Sequence, residues 1–130
     1  MSLRFGYTII FVEDVVKTVE FYEKAFDLKR RSVNPLFAEM ETEGVTLAFG
    51  ANSNERSELP IEFRENHPSV APAGVQISFI AADVEAAYTA AVKAGAIEVV
   101  KPQRMPWGQT ISRVRDLNGV LVSLVSQSQS

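Results

Sequence analysis

The sequence predicts an α+β protein made of two βαβββ modules, and three observations carry that prediction. A strand-then-helix pattern occurs twice, at residues 5–30 and again at 74–99. A turn signal followed by an apolar strand closes each half, near Glu43-Gly44 and at Asn118-Gly119. Between the halves, residues 51–73 are rich in Asn, Ser, Glu and Pro.

The first strand is read from "FGYTIIFV", a run of β-branched and aromatic residues that stops at Glu13-Asp14. Asp14 occupies a helix N-cap position, and Val15, Val19, Tyr22 and Phe26 follow at helical spacing, which makes an amphipathic helix. Short strand candidates come next, and "FAEMETEGVTLAFG" places a hairpin near Glu43-Gly44. A loop as long as 51–73 is a linker or a wall of a binding site. The second half repeats the plan with a strand from Val75 to Ile80, Asp83 as N-cap, and Val84, Ala87, Tyr88 and Ala91 on one helical face. Gly95 supplies the stop. In "TISRVRDLNGVLVSLV", Asn118-Gly119 is a strong hairpin signal. The polar tail "SQSQS" is expected to fray. Aligning Asp14 with Asp83 also superposes Tyr7 on Gln76, Phe11 on Ile80 and Val15 on Val84, so the chain contains the same plan twice.

At 130 residues the chain is read as one domain, residues 1–130, with a first module at about 4–50, a linker at 51–73 and a second module at about 74–126. Hydrophobic residues at 46% and charged residues at 22% exclude a disordered or fibrous chain. A net charge of −3, with no basic run beyond Lys29-Arg30-Arg31, offers no footprint for nucleic acid. Cysteine is absent, which removes disulfides, thiolate nucleophiles and thiolate metal sites. His67 is the single histidine, so no multi-histidine metal cluster forms. The apolar run Tyr7–Val12 is too short to span a membrane or to be a signal peptide, and a cytoplasmic protein without membrane contact is expected.

"FVEDVVKTVEFYEKAFDL" and "PWGQTISRVRDLNGVLVSLV" show an acidic turn, a Phe-Tyr pair and a Trp-Gly…Asp-x-x-Gly hairpin in that order. These features resemble the vicinal oxygen chelate superfamily, which includes glyoxalase I, bleomycin-resistance proteins and extradiol dioxygenases, over about residues 5–125. The resemblance implies that each module curls a four-stranded sheet into half of an open barrel, with helices outside and a central cleft. Metal-dependent members hold a divalent ion there with His, Glu or Gln. Their four ligand positions fall here on Tyr7, Ala48, Gln76 and Ser123; Ala48 stands as far from Gly44 as Ser123 does from Gly119, with Leu47 the adjacent alternative. The resemblance also implies a homodimer, and the Ala-rich second helix has few charges to keep it from packing on a neighbouring chain.

A divalent cation needs three or four oxygen or nitrogen donors. Gln76 is a weak donor, Ser123 a poor one, and Tyr7 would have to ionise from a pKa near ~10. No cofactor is therefore expected, a divalent metal being the alternative. Tyr7 reads either as a packing aromatic or as a ligand contact. Gln76 is expected to be buried on at least one side, bonded to Tyr7, to Ser123 or to a ligand. Strand alternation groups Ser78 with Gln76, and Ile9 and Phe11 with Tyr7. The resulting surface, largely apolar with a few hydroxyls and one amide, suits a planar or aromatic molecule. Trp107 reads either as a stacking wall at the cleft mouth, the favoured reading, or as a packing anchor. Arg113 either points into the cleft toward a carboxylate or phenolate or is a solvated edge residue, the commoner outcome. His67 reads as a surface loop residue, and Glu39 and Glu41 as a solvated sheet face.

The function expected is binding of a small, partly aromatic organic molecule, of the antibiotic-sequestration type, at a degenerate metal site. The alternative is a lyase, isomerase or dioxygenase of the same superfamily with non-standard ligands, or with Glu39, Glu41 or His67 as acid–base groups. A third reading is a structural or regulatory fold without a ligand.

Overall fold

The computed structural model describes residues 1–128 and divides into two compact units. One comprises Met1–Glu23 and Asp27–Glu65; the other comprises Lys24–Phe26 and the chain from Asn66 onward. The elements are β1 (Tyr7–Val12), α1 (Val15–Phe26), β2 (Lys29–Val33), β3 (Phe37–Glu41), β4 (Thr46–Ala51), α2 (Asn52–Glu58), β5 (Gln76–Ile80), α3 (Val84–Lys93), β6 (Ile97–Arg104), β7 (Thr110–Arg115) and β8 (Leu121–Val125). The predicted βαβββ plan holds in both halves. Each half forms a four-stranded mixed sheet, β1-β4-β3-β2 and β5-β8-β7-β6, and neither closes into a barrel. The first strand of each half pairs parallel with the last, and the remaining pairs are antiparallel.

Both long helices start as their sequences require. Asp14 and Asp83 are extended, and their carboxylates accept the amides of Lys17 (3.0 Å) and Ala86 (3.1 Å), each satisfying one of the free donors of a first turn. Val15, Val19 and Tyr22 are buried, as are Ile10, Val12, Met40 and Phe49, and the Tyr22 ring lies 4.9 Å from that of Phe49. In α3, Val84, Tyr88 and Ala91 are buried, and the helix packs on β6, β7 and β8 of its own sheet. Gly95, at φ 114°, ends it.

Three expectations are corrected. The segment read as linker begins with the end of β4 and then α2, a helix that "NSNERSE" does not announce, having neither apolar periodicity nor a side-chain cap. The β7–β8 connection is not a two-residue Asn-Gly turn, because only Gly119 has positive φ. It is a longer turn, 116–120, organised by buried Asp116, whose carboxylate accepts the amides of Asn118 (2.8 Å) and Val120 (2.9 Å). Within the tail expected to fray, Ser126 is held: its amide donates to the Thr110 carbonyl (2.9 Å) and its hydroxyl accepts the Thr110 amide (2.8 Å). The last two residues, 129–130, lie outside the described residues.

Candidate functional site

In the first sheet, Tyr7 stands in register with Thr46, Ile9 with Ala48 and Phe11 with Gly50. These residues share one face, and Leu47, paired with Thr8, belongs to the other. Ala48, not Leu47, is therefore the position beside Tyr7 and Ile9. Ile10 and Val12 face the core, which leaves Tyr7 56% and Ile9 43% exposed. Tyr7 is thus not a core aromatic. Phe11 is covered: the Phe63 ring meets it edge-on at 4.9 Å, and the Arg56 guanidinium lies 5.0 Å above Phe63 while pairing with Glu65. Arg56, Leu59, Pro60, Ile61 and Phe63 line an open pocket beside that end of β1.

Glu39 shares the face of Ala48, its register partner. The carboxylates read as solvated are tied down, because Arg31 on β2 donates to Glu41 (3.0 Å), Glu39 (3.3 Å) and the Thr46 hydroxyl (3.2 Å). Those hydrogen bonds hold the Glu41 carboxyl below its ordinary range. Arg31 is a residue that sequence reasoning passed over, since its partners lie on two other strands.

The second sheet builds a different surface. Cross-strand register sets three rows on one face: Gln76–Leu121–Arg115, Ser78–Ser123–Arg113, and Ile80–Val125–Ile111. The opposite face carries Ser112, Val114, Val122 and Leu124, all buried on the side of α3. Four of the predicted site residues meet here. Ser123, 1% exposed, donates its hydroxyl to Ser78 at 2.6 Å. Arg113 reaches across β8 and donates Nε to the Gln76 Oε1 at 3.1 Å. A guanidinium offers only donors, so this bond orients the amide with its oxygen toward Arg113 and its NH₂ away. The small side chain at Ser123 lets the arginine cross.

Two expectations change. Gln76 is exposed, because β5 is the edge strand of its sheet and Gln76 faces away from α3. Arg113 is not an edge arginine; β7 lies between β8 and β6, and the side chain is half-buried. Its neighbour Arg115 is consumed by backbone, donating to the carbonyls of Gly119 (2.9 Å), Pro68 (3.2 Å), His67 (3.3 Å) and Val70 (2.6 Å). Segment 67–70 is thereby pinned to the second sheet. The exposed His67 turns its Nδ1 to the Ser69 amide (3.1 Å) and hydroxyl (2.7 Å). Trp107, 55% exposed on the β6–β7 loop, donates Nε1 to Gln109 (3.0 Å) and is no packing anchor.

Phe63 and Arg115 were missed as well. An aromatic inside the polar stretch "PIEFRENHP" is the signal that could have singled out Phe63. Among the described residues, no group of three or more His, Cys, Asp or Glu is placed to hold a metal ion, and no helix is long and apolar enough to cross a membrane.

Comparison with known proteins bears on this architecture. The family model described as the Glyoxalase/Bleomycin resistance protein/Dioxygenase superfamily matches residues 4–124. Among solved structures, a glyoxalase-related enzyme from Fulvimarina pelagi is 16% identical with a TM-score of 0.83, over 94% of this chain and 86% of the other. A glyoxalase/bleomycin resistance protein/dioxygenase family enzyme from Burkholderia phytofirmans PsJN is 16% identical with a TM-score of 0.78, over 95% and 98%. TioX from Micromonospora sp. ML1 is 19% identical with a TM-score of 0.69, over 93% and 96%. No curated protein matches the chain. Since the family model spans both modules from before β1 to within β8, the chain belongs to the glyoxalase/bleomycin resistance protein/dioxygenase superfamily.

Proposed function

We propose that this protein binds a small, partly aromatic organic molecule and does so without a divalent metal at the family's usual ligand positions. One observation carries the reading: the donor chemistry at Tyr7, Ala48, Gln76 and Ser123 does not fit a cation. Ala48 offers no donor atom, the Ser123 hydroxyl is buried against Ser78, and the Gln76 carbonyl oxygen is already engaged by the Arg113 guanidinium. A divalent ion on Gln76 would have to displace a fixed positive charge, and none of the four positions itself supplies a carboxylate or an imidazole. Exposed Tyr7 and Ile9, with half-buried Phe11 further along β1, supply apolar and aromatic contact area for an organic ligand. The same reading has the chain as a homodimer, supported by the exposed apolar side chains of Leu3 and Phe5 leading into β1, an edge strand.

Metal analysis after purification without chelator, combined with thermal shifts against zinc, nickel, manganese and magnesium, tests the metal-free reading. The expected result is substoichiometric metal and no stabilisation by any of the four. One ion per chain that raises the melting temperature would overturn it. A panel of aromatic acids, amides and quinones then tests binding, a ligand at a hundred times its Kd stabilising the fold by about 2.7 kcal/mol. A light-scattering mass equal to one chain would sink the dimer.

A further inference from the structure

We infer that the ligand carries a carboxylate, which docks on Arg113 in the second sheet while its apolar body lies over Ile80 and Ile111. This inference rests on the small-molecule reading above and gives the ligand's chemical class. It follows from the direction in which each polar group points its protons. Arg113 spends Nε on Gln76, and among the described residues its two terminal nitrogens meet no carboxylate, carbonyl or hydroxyl. The amide of Gln76, with its oxygen committed to Arg113, presents NH₂. Ser78 accepts the proton of buried Ser123 and keeps its own to donate. Arginine, amide and hydroxyl therefore present unspent donors on one face of the sheet, led by a guanidinium whose terminal nitrogens have no protein acceptor among the described residues. Such an array is complementary to an oxyanion and repels a cation.

Three of the four other arginines on the strands show what is missing at this one, and the fourth, Arg104, is exposed to solvent. Arg30 is paired with Glu23, Arg31 with Glu39 and Glu41, and Arg115 with four carbonyls. Arg113 and Arg115 are the half-buried arginines among the described residues, and Arg113 alone of the two keeps its terminal nitrogens. A charge partly withdrawn from water with acceptors for only part of its fork is costly, and a carboxylate bound at the terminal nitrogens relieves that cost. Two residues further along each strand, about 7 Å away, stands the row Ile80–Val125–Ile111, with Ile80 64% exposed. That spacing suits a fused two-ring body attached directly to the carboxylate.

A titration of the isotope-labelled full chain with 2-naphthoate and with its neutral isostere 2-naphthamide, read at the Arg113 Nε–H and Gln76 side-chain amide NMR signals, tests this. Naphthoate is expected to move both signals and to bind at least about tenfold more tightly than the amide. Gln76→Glu supplies Arg113 with an internal carboxylate. Gln76 is exposed on an edge strand, so the fold tolerates this change, and the variant is expected to lose naphthoate binding by a similar factor. Equal affinity for acid and amide, an unchanged affinity in Gln76→Glu, or no movement of the Arg113 signal at millimolar naphthoate would each overturn the carboxylate inference. In the first of these outcomes small-molecule binding stands, whereas failure of the parent reading shows separately as a stoichiometric, stabilising metal.

Discussion

Gly119→Ala probes how segment 67–70 is fastened to the second sheet, and the structure supplies its magnitude. Gly119 has φ +82°, where an L residue costs about 1–2 kcal/mol. An added Cβ would also stand 2.7 Å from the His67 carbonyl oxygen, 2.8 Å from its carbon and 2.6 Å from Arg115 Nη2. The arginine tip can swing aside. The His67 backbone cannot move without straining the bonds that Arg115 makes to His67, Pro68 and Val70, so an overpacking cost of about 1–3 kcal/mol adds to the backbone term. Gly44→Ala is the matched control, with φ +77° and nothing within 4 Å of the new Cβ. It is expected to lose about 1–2 kcal/mol and Gly119→Ala about 2–5 kcal/mol in urea unfolding, the conformational part being common to both. Amide exchange reports the mechanism: Val70, whose amide bonds to the His67 carbonyl at 3.3 Å, is expected to lose protection in Gly119→Ala and to keep it in Gly44→Ala. Equal losses in the two variants, with Val70 protection unchanged in both, would refute the claim that this glycine is required by close backbone approach as well as by its φ angle.

Two further outcomes follow from buried polar groups. Asp116→Ala orphans the amides of Asn118 and Val120 at the centre of the β7–β8 turn and is expected to lower stability by about 2–4 kcal/mol, whereas Asp116→Asn, which keeps an acceptor oxygen, recovers more than half in the same urea titration. Tyr88, buried and donating to Glu98 at 2.8 Å, has its phenol pushed up to about 12 by desolvation and then by that carboxylate. A raised pKa favours the protonated folded form, so this contribution to stability is fully present below pH 10 and disappears as pH rises toward 12. Tyr88→Phe is expected to remove that component of alkaline unfolding, and an unchanged stability slope between those pH values would contradict it.

Much of the architecture was legible in the residues because its signals are local. Asp14 and Asp83 cap helices through amides three residues away, and a strand's period of two places alternate residues on one face whatever the sheet does. The same periodicity, counted from the turn glycines, is enough to put Ala48 and Ser123 at equivalent places in their two sheets. Helix α2 escaped because "NSNERSE" buries only Asn52, and a helix with almost no buried face leaves no periodic trace.

What the folded chain decided are contacts whose partners are far apart in sequence. Whether Gln76 is buried depends on β5 being the edge strand, which strand order alone settles. Arg113 finds Gln76 across 37 residues, and Arg115 finds the 67–70 carbonyls across 45 to 48. Composition carries the donors and acceptors but not their pairing. Which arginine is satisfied by its own chain and which keeps its terminal donors is a property of register, since one step along a strand moves a side chain to the opposite face.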